Sequence, residues 1–286
     1  MPGLSDPTYV SDQYRDASKL EARIRLHALF STNKHGWHRW VFDQLDLPST
    51  SCILELGCGD GTLWRLNLER VPSSWDITLS DRSFGMLGAA CRDLSSRHAR
   101  FCFAVVDAQE IPFAERAFDA VIANHMLYHV PDRTRALSEI HRVLEPGGHL
   151  YASTVGQDHL RELDELVRRL ERADQRRMRP ATESFLLENG GVQLARWLSG
   201  ITTSRYQDAL VVTDVEPLTD YILSTAPRST LTSARLAALT DSLERTLAQQ
   251  GAIHITKDSG MFHAFRPDHP SPGHQHHRAG EHEAAH

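Results

Sequence analysis

The sequence predicts an α/β fold with a doubly wound, mostly parallel sheet, and three observations carry that prediction. Short apolar runs of strand length recur at residues 52–56, 75–79, 101–106 and 118–123. The first run breaks into glycines at every second position, Gly57, Gly59 and Gly61. Carboxylates close the second and third runs, at Asp81 and Asp107. A strand that ends in a glycine turn and then opens a helix is how doubly wound folds bind nucleotides, at the carboxyl edge of the sheet.

The glycine spacing narrows the ligand. A dinucleotide fingerprint, Gly-x-Gly-x-x-Gly from Gly57, requires glycine at position 62, which is Thr62; the third glycine comes one residue early. A P-loop would end in Gly-Lys-Ser/Thr, and no such lysine follows. Glu55, inside the strand end, would repel pyrophosphate and suits a cationic ligand or a ribose hydroxyl. The loop from Glu55 through Gly57, Cys58, Gly59 and Gly61 therefore resembles motif I of class I S-adenosylmethionine (SAM) methyltransferases.

The next elements are consistent with that resemblance. The second strand ends at Ser80-Asp81-Arg82-Ser83, and Asp81 lies where a ribose-binding carboxylate belongs in a strand–helix–strand unit. A carboxylate accepts from both ribose hydroxyls at once. The third ends at Asp107-Ala108-Gln109, where a carboxylate and the Ala108 amide suit adenine. The fourth runs from Phe118 to Asn124-His125, and Glu145-Pro146-Gly147-Gly148 stops a helix before a fifth strand. Together, over residues 50–155, these motifs resemble the ubiquinone-biosynthesis-like branch of small-molecule methyltransferases.

Structural alternatives stand beside several of these readings. Asp81 also fits an N-cap for a helix beginning near Ser83, Asp107 fits a turn cap, and Glu55 fits an acceptor that braces the loop. Two alternating glycines after a strand are costly without a ligand.

The resemblance implies a Rossmann-like, seven-stranded class I methyltransferase sheet whose last strand is antiparallel, with N-terminal lid helices and helical cap insertions. The expected organisation is lid helices in 1–46, a SAM-binding core in 47–156, a cap insertion in 157–200, C-terminal strands with a helical insertion in 201–266, and a disordered His-rich tail in 267–286. Leu20, Ile24, His27 and Phe30 share a helical face, and a second helix spans 37–45 after a break at Ser31-Thr32-Asn33. Later expectations are a long helix over 157–180, a second over 183–199 interrupted at Asn189-Gly190-Gly191, and a strand over 206–213. Helices at 217–223 and 233–249 follow, with a last strand over 252–265 kinked at Asp258-Ser259-Gly260.

The cofactor implied is SAM, with S-adenosylhomocysteine as product, held by Tyr14 as a lid aromatic, Glu55, Gly57, Cys58, Gly59, Asp81, Arg82, Asp107, Ala108, Gln109 and Asn124. Proton removal from an acceptor suits histidine, and His27, His125 and His129 are the candidates; packing is the competing reading for each. His35 and His38 flank Gly36-Trp37 near the pocket mouth. Trp37, Trp40, Tyr128 and Phe185 suit stacking on a planar acceptor or, equally, core packing. A small, aromatic metabolite such as a phenol, quinone precursor or indole is the expected acceptor, with O-, N- and C-methylation open.

Composition excludes several classes. A formal charge of −6 and no basic run argue against nucleic acid, and Arg176-Arg177-Met178-Arg179 reads as a solvated helix face. The chain also lacks the Asn/Asp-Pro-Pro-aromatic motif of nucleic-acid methyltransferases, having Asn124-His125-Met126-Leu127 in that place. No apolar stretch is long enough to span a bilayer, and residues 1–12 are too polar for a signal peptide. Cys52, Cys58, Cys91 and Cys102 lack metal-ligand spacing and read as buried thiols in a reducing cytoplasm. Of the 17 histidines, those after Pro267 form a tail suited to adventitious metal, and no catalytic metal is expected. The rivals are an NAD-dependent oxidoreductase, disfavoured by Thr62 and Glu55, and a SAM-fold protein that catalyses a rearrangement or cyclisation.

Overall fold

The computed structural model describes residues 17–95, 100–170, 185–225 and 232–268. Tyr14, the Arg176–Arg179 cluster and the histidines after Asp268 lie outside them. Two helices lead, α1 (Ala17–Phe30) and α2 (Trp37–Asp43), with the chain turning at Gly36, whose φ is 87°.

The sheet then builds from β1 (Cys52–Leu56), β2 (Asp76–Asp81), β3 (Arg100–Val105), β4 (Phe118–Asn124) and β5 (Leu144–Val155). Short α3 (Thr62–Arg65), α4 (Phe84–Leu94) and α5 (Arg133–Val143) connect them. Ser83 caps α4 by accepting the Met86 amide, and Asp132 caps α5 by accepting that of Arg135. Strands β6 (Ser199–Tyr206) and β9 (Ser259–Phe265) complete seven strands in the order β3-β2-β1-β4-β5-β9-β6. The first five are parallel, and β9 runs antiparallel to both β5 and β6. This is the expected seven-stranded sheet.

Both sheet faces are covered. Leu54, Leu56, Val121, Ala123, Leu150 and Phe262 pack with α5 on one side; Ile53, Ile77, Ala120, Ile122, Tyr151 and Met261 pack with α2, α3 and α4 on the other. That two-sided burial is why β1 and β4 read as continuous apolar runs rather than alternating ones.

The C-terminal third departs from the sequence expectation. Residues 206–213 are not one strand: β6 ends at Tyr206 and a separate β7 (Ala209–Val212) follows. Residues 252–265 likewise divide into β8 (Ile253–Thr256) and β9. β7 and β8 pair only with each other, apart from a single bridge from Ser31 to Leu210. Their register continues that of β6 and β9 across the break, so Asp208 and Lys257 stand opposite one another at the bend. Beyond the bend, β7, β8, α8 (Val215–Thr225), α9 (Ser233–Gln250), α6 (Arg161–Leu170) and α1 enclose a third apolar core around Leu26, Leu163, Leu210, Leu218, Leu243 and Ile255.

Other expectations are corrected locally. Asn189-Gly190-Gly191 opens a helix instead of interrupting one: α7 is only Gly190–Leu194, and the Asn189 side chain accepts the Leu186 amide ahead of it. The helix expected from residue 157 starts at Arg161, after a turn in which Leu160 has φ 57°. On α1 the sealed residue is Leu26, whereas Ile24 is 56 % exposed. Cys58 is buried, but Cys52 and Cys102 are exposed, at the start of β1 and in β3; all four thiols are free. Phe185 is fully buried edge-on against Phe262, which makes it core.

Candidate cofactor and acceptor site

The site begins where β1 runs out. Gly57, Gly59 and Gly61 all take positive φ, at 69°, 58° and 73°. At Gly57 a Cβ would stand 2.8 Å from the Met126 Cβ, so glycine is required there both by backbone conformation and by the close approach of the segment after β4. Asp60 Oδ1 accepts the Thr62 amide and hydroxyl and so fixes the entry to α3.

Glu55 lies beneath this loop. It is 1 % exposed and accepts the Trp64 indole N–H at 2.5 Å. Burial, only partly countered by that hydrogen bond and reinforced by Asp81 and Asp60, pushes its carboxyl up to about 8. Of the two sequence readings, the loop-bracing acceptor is the one this geometry fits. Burial likewise pushes the Cys58 thiol up, and its amide donates to Ser80 O.

Asp81 closes β2 and faces the loop: its Oδ2 accepts the Gly59 amide at 3.0 Å and its Oδ1 the Ser83 amide at 2.7 Å. The helix cap itself is Ser83. Asp107, after β3, accepts from the Gln109 amide at 2.9 Å and from its side chain at 3.0 Å. Burial raises its carboxyl, but those two donors and the charges of Arg82 and Arg135 outweigh it and hold the group below the usual range. Ala108 is buried beside Asp107. Asp81, Arg82, Asp107, Ala108 and Gln109 therefore gather at the carboxyl edge beside the glycine loop.

Asn124 ends β4 next to that loop. Its Oδ1 accepts from the Trp37 indole at 3.2 Å and the Ser153 hydroxyl at 2.6 Å, leaving its amide NH₂ as donors. His125 follows with φ 53°, an uncommon conformation for a residue with a Cβ, held by its amide on Ser153 Oγ at 2.9 Å. Its ring lies on Trp37, centroids 4.7 Å apart. Trp37 also meets Trp40 at 5.1 Å and Tyr206 at 5.3 Å, and Tyr128 lies 6.1 Å from His125. Burial, then the neighbouring His38 and His129, lowers His125 to about 3, so it is neutral at neutral pH. His129 sits in a short 3-10 turn against Tyr128, centroids 4.5 Å apart. His38 is also lowered, by burial, while His35 pairs with Asp43 at 2.5 Å on the exposed side of α2.

His27 is separate from His125 in sequence but not in place. It lies one helical turn before Ser31, whose hydroxyl donates to Asp208. Its Nδ1 is buried with no hydrogen-bond partner among the described residues, and burial with Lys257 lowers it to about 4.

Three residues that the sequence reading passed over also belong here. Tyr206 is 3 % exposed and ends β6 against Trp37 and Trp40. Lys257 places its ammonium 5.7 Å from the Tyr206 ring centroid. His159 Nδ1 accepts the Asp258 amide at 3.2 Å and lies 3.3 Å from Ser259 Oγ. Burial lowers it to about 3. The available signal was the charge that interrupts each apolar run, Asp208 in one and Lys257-Asp258 in the other. Among the described residues no group of His, Cys, Asp and Glu has the arrangement of a metal site.

The glycine loop, Asp81, Asp107 and Asn124 fall within a stretch that matches a known family. Residues 54–152 match the family described as "Methyltransferase domain". The chain is 28 % identical over 264 residues to the biotin biosynthesis bifunctional protein BioHC of Saccharophagus degradans, covering 85 % of this chain and 47 % of that one. It is 33 % identical over 114 residues to 2-phytyl-1,4-naphtoquinone methyltransferase of Thermosynechococcus vestitus, covering 40 % and 50 %. The chain thus spans about half the length of these curated relatives. Among solved structures, the [4+2]-cyclase SpnF superposes with TM-score 0.55 at 20 % identity, over 93 % of this chain and 97 % of that one; at that identity the likeness is one of fold. Residues 54–152 thus match a methyltransferase domain, and the sheet that carries them has the Rossmann-like class I methyltransferase fold.

Proposed function

We propose that the protein transfers a methyl group from SAM to a small, planar aromatic acceptor. The observation that carries this is the convergence, at one sheet edge, of the positive-φ glycine loop with Asp81 and Asp107, facing the Trp37–His125–Tyr206 aromatic set. The loop residues fit the cofactor. Backbone without Cβ atoms lets a nucleoside lie close, and Asp81 keeps lone pairs for ribose hydroxyls beyond the two amides it accepts. Bound there, SAM supplies an electrophilic methyl on a sulfonium.

The protein's own contribution is alignment and exclusion of water. Asp81 would hold the ribose, Asp107 with Ala108 and Gln109 the adenine, and the Asn124 amide would orient the end of the cofactor nearest the acceptor. Glu55 would act from beneath, through Trp64, to keep the loop in place. The rings of Trp37, Trp40 and Tyr206 suit a flat acceptor and lack formal charge, appropriate beside a sulfonium that is neutralised during transfer. Burial and the neighbouring histidines lower His125, which with its stacking on Trp37 favours the wall of this space over proton removal. His27 and His129 remain the candidates for contact with the acceptor. A formal charge of −6 supports a small molecule over a nucleic acid.

Calorimetric titration with SAM, S-adenosylhomocysteine and NAD tests the cofactor. Binding of the two sulfur nucleosides without NAD is expected; NAD binding alone would overturn the reading. Turnover is then scored by S-adenosylhomocysteine release with a product heavier by one CH₂. SAM binding without such release, with an acceptor consumed, would favour rearrangement or cyclisation instead.

A further inference from the structure

Two buried polar atoms near the aromatic set lack partners among the described residues: the Tyr206 hydroxyl and His27 Nδ1. The Gly36 backbone lies near the Tyr206 hydroxyl without forming a hydrogen bond of ordinary geometry. Buried hydroxyls and imidazoles are nearly always satisfied, because an unmade hydrogen bond leaves the cost of desolvation uncompensated. Two such atoms in one neighbourhood point to a ligand that satisfies both.

The sheet register brings them together. Tyr206 pairs with Ser259, and Asp208 stands opposite Lys257 two residues further along. Residues two apart share a face of a strand, so Tyr206, Asp208, Lys257 and Ser259 project to one side of the ribbon. His159 joins that face through Ser259 Oγ, and His27 joins it from α1, one turn from the Ser31 that binds Asp208. Trp37 links the group to Asn124 and His125 at the cofactor edge.

Charge then selects among ligands. Asp208 has a fully buried side chain and pairs with Lys257, itself 11 % exposed. It also accepts from Ser31, Thr32 and the Asn33 amide. The Lys257 cation at this face is therefore already compensated by a carboxylate that is buried from water. An incoming carboxylate would lose its hydration and meet a net charge of zero; a hydroxyl or carbonyl would lose far less.

We propose that Tyr206 and His27 together hold an uncharged oxygen, hydroxyl or carbonyl, on the planar acceptor, and that the Asp208–Lys257 pair discriminates against acceptors carrying a carboxylate. This rests on the methyltransferase reading and adds the chemistry of the acceptor. Burial keeps the Tyr206 phenol protonated, raised to about 12, so it is available as a donor.

The test is calorimetry on the full chain saturated with S-adenosylhomocysteine, titrated with 2-naphthol, 2-naphthoate and naphthalene. The parent protein should bind 2-naphthol at least ~10-fold more tightly than 2-naphthoate. Tyr206→Phe should weaken 2-naphthol about 5-fold, the scale of one neutral hydrogen bond, and leave naphthalene and S-adenosylhomocysteine unchanged. Loss of naphthalene binding as well would mean that Tyr206 only packs, and would overturn its assigned role. Asp208→Asn, which keeps one acceptor oxygen for the Thr32 hydroxyl and the Asn33 amide but frees the Lys257 charge, should shift preference toward 2-naphthoate. Equal binding of both naphthalene derivatives by the parent, or binding of neither, would sink the proposal. Failure to bind S-adenosylhomocysteine at all would instead count against the methyltransferase reading.

Discussion

Asp81 Oδ2 accepts the Gly59 amide at 3.0 Å, so the carboxylate that ends β2 is hydrogen-bonded to the loop that ends β1. The two strands are parallel neighbours, Leu56 opposite Ser80, and their carboxyl ends stop side by side. One side chain thus fixes the loop geometry and, in the proposed function, would also hold the ribose.

Replacing Asp81 should separate these roles. Asp81→Asn keeps one acceptor oxygen but loses charge and one lone-pair set; Asp81→Ala loses everything. SAM affinity should fall by roughly 1–3 kcal/mol in the alanine variant, with a smaller loss in the asparagine variant. The urea midpoint should drop only slightly, since Ser83 caps α4 independently. Normal SAM binding by Asp81→Ala would rule out the ribose assignment.

Glu55 gives a pH-dependent prediction of the opposite kind. Its folded pKa is raised to about 8 against an ordinary value of 4.5. Below 4.5 the folded and unfolded chains both carry the proton, and its stabilising contribution is fully present. Between 4.5 and 8 the unfolded chain releases the proton and the folded chain retains it, so that contribution declines as pH rises. Glu55→Gln keeps an oxygen for the Trp64 indole and removes the titration. Urea midpoints measured from about pH 6.5 to 9, above the range in which the buried histidines act, should therefore fall less steeply for Glu55→Gln than for the parent, with SAM affinity little changed. A large loss of affinity would return Glu55 to direct contact with the cofactor.

Legibility in the sequence followed the range of the interactions. The β1 loop was readable because its glycines respond to constraints within a few residues, and Asp81 and Asp107 because they end strands of the same unit. The β6–β7 and β8–β9 divisions were not, because an apolar run does not show where its pairing partner leaves the main sheet. Asp208 and Lys257 lie 49 residues apart, and only the register shows that they are opposite. Tyr206 and His159 stand alone in sequence, without periodicity or motif, and acquire meaning only when α2 and Ser259 are folded against them. Local periodicity also misjudged α1, where tertiary contacts bury Leu26 and leave Ile24 outside.

The histidines set the acid limit of stability. His27 is lowered to about 4, His125 and His159 to about 3, all from 6.5. Above 6.5 folded and unfolded chains are both neutral at these positions, and nothing is lost. As pH falls below 6.5 the unfolded chain takes up protons that the folded chain refuses, so stability declines toward pH 4. Three histidines acting this way outweigh the opposing trend at Glu55 in the same window. Chemical denaturation at pH 7.5, 6 and 5 should show the decline, and His159→Gln should reduce its slope by about one proton. A flat profile would mean that these rings are solvated enough to titrate normally.

The Asp208–Lys257 pair makes the last prediction, about the bend in the long ribbon. Asp208 collects Ser31, Thr32, Asn33 and Ala209 donors as well as Lys257. Burial pushes its carboxyl up, and the bonds from Lys257, Ser31 and Asn33 more than offset that, holding it below the usual range. Removing one partner of such a buried pair typically costs ~3–5 kcal/mol. Lys257→Met should fall toward the lower end, because the remaining donors still solvate the carboxylate. Adding Asp208→Asn to Lys257→Met should recover part of the loss, since no uncompensated charge then remains in the interior. A double-mutant cycle by urea denaturation measures both steps. If Lys257→Met were as stable as the parent, the pair would behave like an exposed ion pair, and its proposed control over acceptor charge would lose its physical basis.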